Sequence, residues 1–193
     1  MATFTDNITR YLRKKSKSGK PVSVYALQDA ENCDVGYVLD ASRKQLLLAS
    51  MDPQGRYDGY IAYRMKDIHR LDYDGLYERN CHALYRLQEQ EHEPVRLKEK
   101  SHFVNLLKHA KRNGLVVTVV RVRGQDHQVT GLVDDVEKDG TVKRLVIDWR
   151  GREDGKAVFS VDEIVRVYCD DSDEHTRMLL QKLYKSKKTG SEM

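Results

Sequence analysis

The sequence contains no hydrophobic run that approaches the length of a membrane span. Its first residues, MATFTDNITRYLRKK, lack the apolar core of a secretion signal. Hydrophobic residues nevertheless make up 39% of the 193 residues, against 33% that are charged, which is enough to fold around a core. We therefore expect a water-soluble cytoplasmic protein of one large or two small domains, without a membrane partner.

Cysteine is scarce, and its three copies, Cys33, Cys81 and Cys169, lie far apart in the sequence. None belongs to a Cys-x-x-Cys pair, and an odd number of cysteines argues against a disulfide framework. The histidines are scattered, and even His102 and His109 lack carboxylates or thiols at the spacing that metal ligands require. We therefore expect reduced thiols, no metal site and no other cofactor.

The common motifs of catalysis and phosphate binding are also missing. No glycine-rich loop precedes a predicted helix, and no Gly-x-Ser-x-Gly elbow is present. Paired aspartates occur in DVGYVLD (34–40) and DPQGRYDG (52–59), but the segments 52–55, Asp58-Gly59 and Asp139-Gly140 are typical of turns. The sequence therefore predicts a protein that is not an enzyme.

The sequence does contain an internal duplication. The stretch DGYIAYRMKDIHRLDYD at 58–74 is repeated as DGKAVFSVDEIVRVYCD at 154–170, and the segments that precede each stretch correspond in the same order. The insertions and deletions between the copies fall in predicted turns, as expected for a duplicated fold. The polar segment 88–100 predicts the boundary, which gives a first unit at 1–93 and a second at 94–193.

Each copy has the pattern of a helix, five short strands and a second helix. Apolar residues recur with helical period in Thr3–Lys17 and Ser101–Asn113, and each segment is followed by a glycine typical of a helix C-terminus. The closing helix of the first copy is predicted from a stripe of Leu76, Ala83, Leu84 and Leu87. Gly36 and Gly131 interrupt the second strands, as at a sharp bend or a close backbone approach. Because barrel closure removes exposed strand edges, we predict a mainly β, α+β fold of two tandem five-stranded barrels, each flanked by helices.

This arrangement resembles the Sm-like fold, a small SH3-like barrel. The spacing of Gly36, Val38 and the aliphatic run 46–48 is most similar to that of bacterial Sm-like RNA chaperones of the host-factor type. The spacing between Tyr63 and Ile68 is similar, less closely, to that of WYL domains, which are found in bacterial regulators. The first resemblance implies RNA binding without catalysis, and the second implies the sensing of a ligand or of nucleic acid.

The net charge of +4 is unevenly distributed along the chain. Residues 10–20 hold six basic and no acidic residues, and residues 95–114 hold six basic and one acidic residue. The two strand regions are more acidic than basic, while the tail Lys182–Lys188 adds four lysines. Lysine and arginine at a helix C-terminus complement the helix dipole, which accounts for one or two residues per helix. The remaining cations favour a surface that binds phosphates.

Two classes of function remain open. The first hypothesis is a nucleic-acid-binding protein with RNA as its ligand. Its predicted contacts are Arg13, Lys14, Lys15, Lys17, Arg43, Lys44, Arg56, Arg64, Lys108, Lys111 and Arg112. The alternative is a protein-interaction, self-associating or ligand-sensing scaffold that binds no nucleic acid, which the acidic strand regions favour.

The aromatic side chains of the fourth predicted strand allow two interpretations. Tyr57, Tyr60 and Tyr63 alternate and therefore lie on one face of the strand. They are suited to a platform on which bases of single-stranded nucleic acid stack, or to the packing of a core. We expect core packing, because this is the commoner role of aromatic side chains.

Overall fold

The computed structural model describes residues 3–26, 29–122 and 128–190. The chain divides into two compact units, Met1–Pro94 and Val95–Met193, called unit 1 and unit 2. The predicted end of the first strand, Leu27, lies outside the described residues.

Unit 1 follows the predicted order of a helix, five strands and a second helix. Its elements are α1 (Phe4–Ser18), β1 (Val22–Ala26), β2 (Asp29–Ala41), β3 (Gln45–Met51), β4 (Tyr57–Arg64), β5 (Ile68–Tyr73) and α2 (Leu76–Leu87). A short 3-10 turn, Met65–Asp67, connects β4 to β5.

Unit 2 has the same order of elements. They are α3 (His102–Asn113), β6 (Val116–Arg121), β7 (Gln128–Val136), β8 (Thr141–Ile147), β9 (Glu153–Ser160), β10 (Ile164–Cys169) and α4 (Ser172–Gly190). A 3-10 turn at Val161–Glu163 again connects the fourth strand of the unit to the fifth.

The predicted opening helices are confirmed, and local interactions define their ends. Thr3 caps α1 in a reciprocal box with Asp6, and the Ser101 side chain accepts an N–H of the first turn of α3. Gly19 and Gly114 follow the two helices with φ angles of 61° and 64°. Glycine tolerates this left-handed conformation without the steric cost that a Cβ atom brings, so both helices end there.

The strands pair antiparallel in the order β5-β1-β2-β3-β4 in unit 1 and β10-β6-β7-β8-β9 in unit 2. Among the described residues, the first and last strands of this order do not pair with each other in either unit, so each unit has an open sheet and the predicted fold of two closed five-stranded barrels is wrong. Closure of a barrel requires hydrogen bonds between the first and last strands of the order. The spacing of strands and glycines, from which closure was predicted, contains no information about such a long-range pairing.

The glycines of the second strands are required by close packing of the backbone. A Cβ atom on Gly36 would overlap the carbonyl oxygen of Ala49, and one on Gly131 would overlap that of Leu145. The close backbone approach predicted at both positions is therefore confirmed, although it does not produce a closed barrel.

The buried face of α2 differs from the predicted one. Leu76, Leu84 and Leu87 are exposed, whereas the buried residues of the helix are Glu78, Cys81 and Tyr85. The Ser23 hydroxyl donates a 2.5 Å hydrogen bond to the Glu78 carboxylate, which satisfies this polar group in the interior. The hydrophobic pattern alone therefore predicts the wrong buried face for α2.

The repeated aspartates Asp74 and Asp170 have a backbone role. Both have a φ of 60°, at the turn that leads from the last strand of each unit into its closing helix. Aspartate enters this left-handed region more readily than most residues because its short polar side chain can hydrogen-bond locally. The same left-handed turn in both units therefore favours the repeated aspartate.

Candidate nucleic-acid interface

Helix α1 separates an apolar face from a positively charged face. Ile8 and Leu12 are buried against the sheet of unit 1. The opposite, solvent-exposed face carries four cations spaced i, i+3, i+4 and i+7, which places them on one side of the helix. This set, the α1 cationic stripe, consists of Arg10, Arg13, Lys14 and Lys17.

The charges of the α1 cationic stripe are not neutralised within the described part of the chain. Arg13 donates its Nε–H to the carbonyl oxygen of Ala41 at 2.8 Å, and Arg10 donates to the amide oxygen of Asn7 at 3.1 Å. These acceptors are uncharged and orient the two guanidinium groups without cancelling their charge. Among residues 3–26, 29–122 and 128–190, no carboxylate forms an ion pair with Lys14 or Lys17.

Lys15, a predicted contact on the same helix, has a different role. It is only 9% exposed, and its Nζ lies 2.6 Å from the Asp74 carboxylate and 4.5 Å from the centre of the Tyr73 ring. The hydrogen bond from Lys15 lowers the pKa of Asp74 below its ordinary value. The ion pair of Lys15 with Asp74 therefore connects α1 to the end of β5, and Lys15 is not available to bind a phosphate.

Two exposed tyrosines lie beside the α1 cationic stripe. The rings of Tyr11 on α1 and Tyr73 on β5 are stacked, with centroids 5.9 Å apart and an interplanar angle of 27°. They are 43% and 40% exposed, so an edge of each ring faces solvent. Arg10 of the stripe lies 5.9 Å from the centre of the Tyr11 ring. We call Tyr11 and Tyr73 the tyrosine pair.

The surface of unit 1 continues from the tyrosine pair into an open cavity of about 670 Å³. Tyr25, Arg70, Tyr73 and Tyr77 contribute to its lining. The Arg70 guanidinium lies 4.6 Å from the centre of the Tyr25 ring, and it is fixed by a 2.6 Å ion pair with Asp72. Flat aromatic and guanidinium surfaces of this kind accept the faces of nucleic-acid bases.

Sequence reasoning missed Arg10 as a member of the stripe and missed the tyrosine pair. Arg10 was recognisable, because it lies one helical turn before Arg13 and Lys14 on the predicted helix. The pairing of Tyr11 with Tyr73 was not recognisable, because it depends on the packing of α1 against the distant strand β5.

Tyr60 and Tyr63, candidates for a stacking platform, are core residues. Both are 1% exposed, and the Tyr60 hydroxyl donates a 2.6 Å hydrogen bond to the carbonyl oxygen of Glu93. The expectation of core packing is confirmed for these two side chains.

The predicted contacts on α3 are largely engaged in ion pairs. Lys108 lies 2.6 Å from the Glu99 carboxylate, and Lys111 lies 2.7 Å from that of Asp135. The hydrogen bond from Lys111 lowers the pKa of Asp135 below its ordinary value. Arg112 is exposed at the end of the helix. The surface of α3 therefore presents less uncompensated positive charge than that of α1.

The predicted contacts in the strand region of unit 1 are dispersed. Arg43 is paired with Asp6 and Arg64 with Asp67, each at 3.0 Å. Lys44 and Arg56 are exposed on separate turns, Lys44 between β2 and β3 and Arg56 between β3 and β4. Arg43 joins Arg10 and Arg13 around a small cavity beside α1.

The comparisons with protein-family models, curated proteins and solved structures found no match to this chain. In the described segments, no helix combines the length and the apolar character that crossing a bilayer requires. The geometry of the chain itself is therefore the basis for a functional proposal.

Proposed function

We propose that this protein binds nucleic acid, and specifically single-stranded RNA, through the α1 cationic stripe and the tyrosine pair of unit 1. It does so as a cytoplasmic protein without catalysis. The observation that carries the proposal is the stripe itself, four cations on one exposed helix face that lack carboxylate partners among the described residues.

The stripe suits the backbone of a nucleic acid for an electrostatic reason. When Lys and Arg side chains neutralise phosphates, condensed counterions are released, and this release dominates the sequence-independent part of the affinity. From Arg10 to Lys17 the stripe extends for about 10 Å along the helix axis, so it can contact more than one phosphate.

The tyrosine pair favours a single strand over a duplex. Bases in a duplex are stacked on one another, whereas those of a single strand are free to stack on an aromatic ring. Tyr11 and Tyr73 present exposed ring edges next to Arg10, so a strand whose phosphates lie on α1 brings its bases near both rings.

Interaction with the helix dipole does not account for the stripe. The dipole favours cations in the last turn of a helix, where Lys15 and Lys17 lie. Arg10 lies two turns earlier, where this effect has largely vanished. A further function of the exposed face explains why cations continue along it.

A salt-dependent titration tests the proposal. The full chain is titrated into a fluorescein-labelled single-stranded RNA of mixed sequence at about 50 mM and about 200 mM salt, and the anisotropy is recorded. We expect binding at the lower concentration and much weaker binding at the higher one. An anisotropy that does not rise as protein is added at about 50 mM salt would refute RNA binding.

A further inference from the structure

The two units contain the same hairpin turn between their third and fourth strands. Asp52–Arg56 and Asp148–Arg152 share the pattern Asp-x-x-Gly-Arg. In each turn the aspartate N–H donates to the arginine carbonyl oxygen, at 3.0 Å in unit 1 and 2.9 Å in unit 2. The glycines Gly55 and Gly151 have φ angles of 71° and 79°. The turns are therefore equivalent structures.

Each turn packs against the closing helix of its own unit at equivalent positions. A Cβ atom on Gly55 would overlap Leu84 and Tyr85 of α2. One on Gly151 would overlap Leu180 and Gln181 of α4. A groove with the same backbone walls therefore borders the turn and the closing helix in each unit, and Gln181 takes the place of Tyr85.

In unit 1 the chain itself fills this groove. Helix α2 ends at Leu87, and Glu89 reverses the chain with a φ of 51°. The Gln90 side chain then accepts the N–H of Tyr57 at 3.0 Å. A 3.0 Å hydrogen bond links Nε2 of His92 to the carbonyl oxygen of Gly59. We call residues 88–93 the covering segment.

Aromatic side chains hold the covering segment in place. The His92 ring is stacked on Tyr85 and lies 4.5 Å from the centre of the Tyr57 ring. Its Nδ1 is 2.7 Å from the Tyr85 hydroxyl. Burial lowers the pKa of His92, which favours a neutral ring that accepts from Tyr85 and donates to Gly59.

In unit 2 the equivalent groove is not covered by the described chain. Helix α4 does not end at the position equivalent to Leu87 but continues to Gly190, so the chain does not turn back. The groove is an open cavity of about 700 Å³, a volume typical of ligand sites. Tyr184 and Lys185 of α4 line it where the covering segment begins in unit 1.

A buried amide group in the wall of the groove lacks a partner. Gln181 is 6% exposed, and its Nε2 has no hydrogen-bond acceptor within the part of the chain that the structure describes. A buried amide left in this state destabilises the fold, so such groups are normally satisfied. Gln181 lines the groove, so rotation of its side chain toward a ligand that presents an acceptor oxygen would remove this destabilisation.

The charges of the groove indicate the chemistry of the ligand. Asp148 is paired with Arg152 at 2.7 Å, and Glu153 is paired with Lys185 at 3.2 Å. Asp154 adds a third, exposed carboxylate to a lining that contains only two cationic side chains, so the lining carries a net negative charge.

The residues that contact the covering segment in unit 1 are replaced in unit 2. Where unit 1 has the aromatic residues Tyr57, Tyr60 and Tyr85, the equivalent positions of unit 2 are Glu153, Lys156 and Gln181. The groove of unit 2 is therefore suited to a polar ligand and not to an aromatic one.

We propose that the groove of unit 2 binds an extended, basic peptide of a partner protein, in the place that the covering segment occupies in unit 1. A carbonyl or side-chain oxygen of the peptide accepts from Nε2 of Gln181, and a lysine or arginine of the peptide pairs with Asp154. This site is separate from the α1 cationic stripe and does not depend on RNA binding.

Selection from a library tests the proposal. The full chain is used to select from a phage-displayed library of random nine-residue peptides, and the enriched peptides are synthesised and titrated. We expect enriched sequences with basic residues. Gln181→Met removes the amide with little change in volume, and Asp154→Asn removes an exposed charge, so each should weaken binding about tenfold. Asp58→Asn, the equivalent change in unit 1, should leave the affinity unchanged.

The proposal would be overturned by the failure to enrich any peptide, by an affinity that neither Gln181→Met nor Asp154→Asn alters, or by an equal loss of affinity in Asp58→Asn. Because Asp154 is exposed, its variant tests the groove even if Gln181→Met impairs folding. Competition by RNA for the selected peptides would place them on unit 1 and would also contradict the proposal.

Discussion

Removal of the free charges from α1 should reduce the salt dependence of RNA binding by a predictable amount. In the variant Arg10→Gln, Lys14→Gln, Lys17→Gln, the remaining stripe residue Arg13 keeps its hydrogen bond to Ala41. For single strands, each neutralised phosphate contributes about 0.7 to the slope of log K against log salt. Loss of three contacts therefore reduces the slope by about 2, which corresponds to about 20-fold in affinity over a fourfold change in salt. Anisotropy titrations with labelled single-stranded RNA at several salt concentrations measure this slope.

The matched control removes the same number of charges from unit 2. In Lys108→Gln, Lys111→Gln, Arg112→Gln, the two lysines are already paired with Glu99 and Asp135, so they contribute few phosphate contacts. The slope should change by less than about 0.7. An equal change of slope in both variants would show that net charge and not the α1 cationic stripe determines binding, and an unchanged slope in the α1 variant would refute the reasoning.

Three further predictions concern the tyrosine pair, a buried carboxyl and a strand glycine. Tyr11→Leu should weaken RNA binding by about 1–3 kcal/mol in anisotropy titrations, with an unchanged salt slope, because stacking is lost and no charge is removed; a changed slope would contradict this. Burial raises the pKa of Glu174 from 4.5 to about 9, so ionisation opposes folding and stability should fall as the pH rises through this range. Glu174→Gln should flatten that fall in urea denaturation at about pH 5 and pH 8.5, and an unchanged pH dependence would contradict the assignment. Gly131→Ala should destabilise the fold by more than about 3 kcal/mol in urea denaturation, because its Cβ atom would overlap Leu145. Gly114→Ala has open space around it and should cost only about 1 kcal/mol in the same assay. Similar losses of stability in the two variants would contradict this prediction.

The local structure was largely predictable from the sequence, because its signals lie close together in the chain. The duplication locates equivalent strands in both units, and the helix ends follow from Gly19 and Gly114. The close approaches at Gly36 and Gly131 were also expected, since glycine weakens a strand interior and is typical of positions where another backbone comes close.

The long-range structure was not predictable, because it depends on which distant groups meet. The strand pattern alone led to the prediction of closed barrels. The open strand order of each unit shows that this pattern does not determine whether the first and last strands pair. The buried face of α2 was misassigned because the hydrogen bond between Ser23 and Glu78 permits a carboxyl group in the interior.

The same limit applies to the candidate site. Lys15, Lys108 and Lys111 are indistinguishable by sequence from the free cations of α1, and only the fold reveals that carboxylates neutralise them. The sequence could therefore indicate a basic helix but could not separate its structural lysines from those available to a ligand.

Ultraviolet crosslinking of the full chain to a uridine-rich single-stranded RNA, followed by mass spectrometry of the crosslinked peptides, tests the central claim most directly. We expect crosslinks at Tyr11 and Tyr73 of unit 1, which decrease in the variant that lacks Arg10, Lys14 and Lys17. Crosslinks confined to unit 2, or an absence of crosslinks at low salt, would contradict the claim that this surface binds RNA.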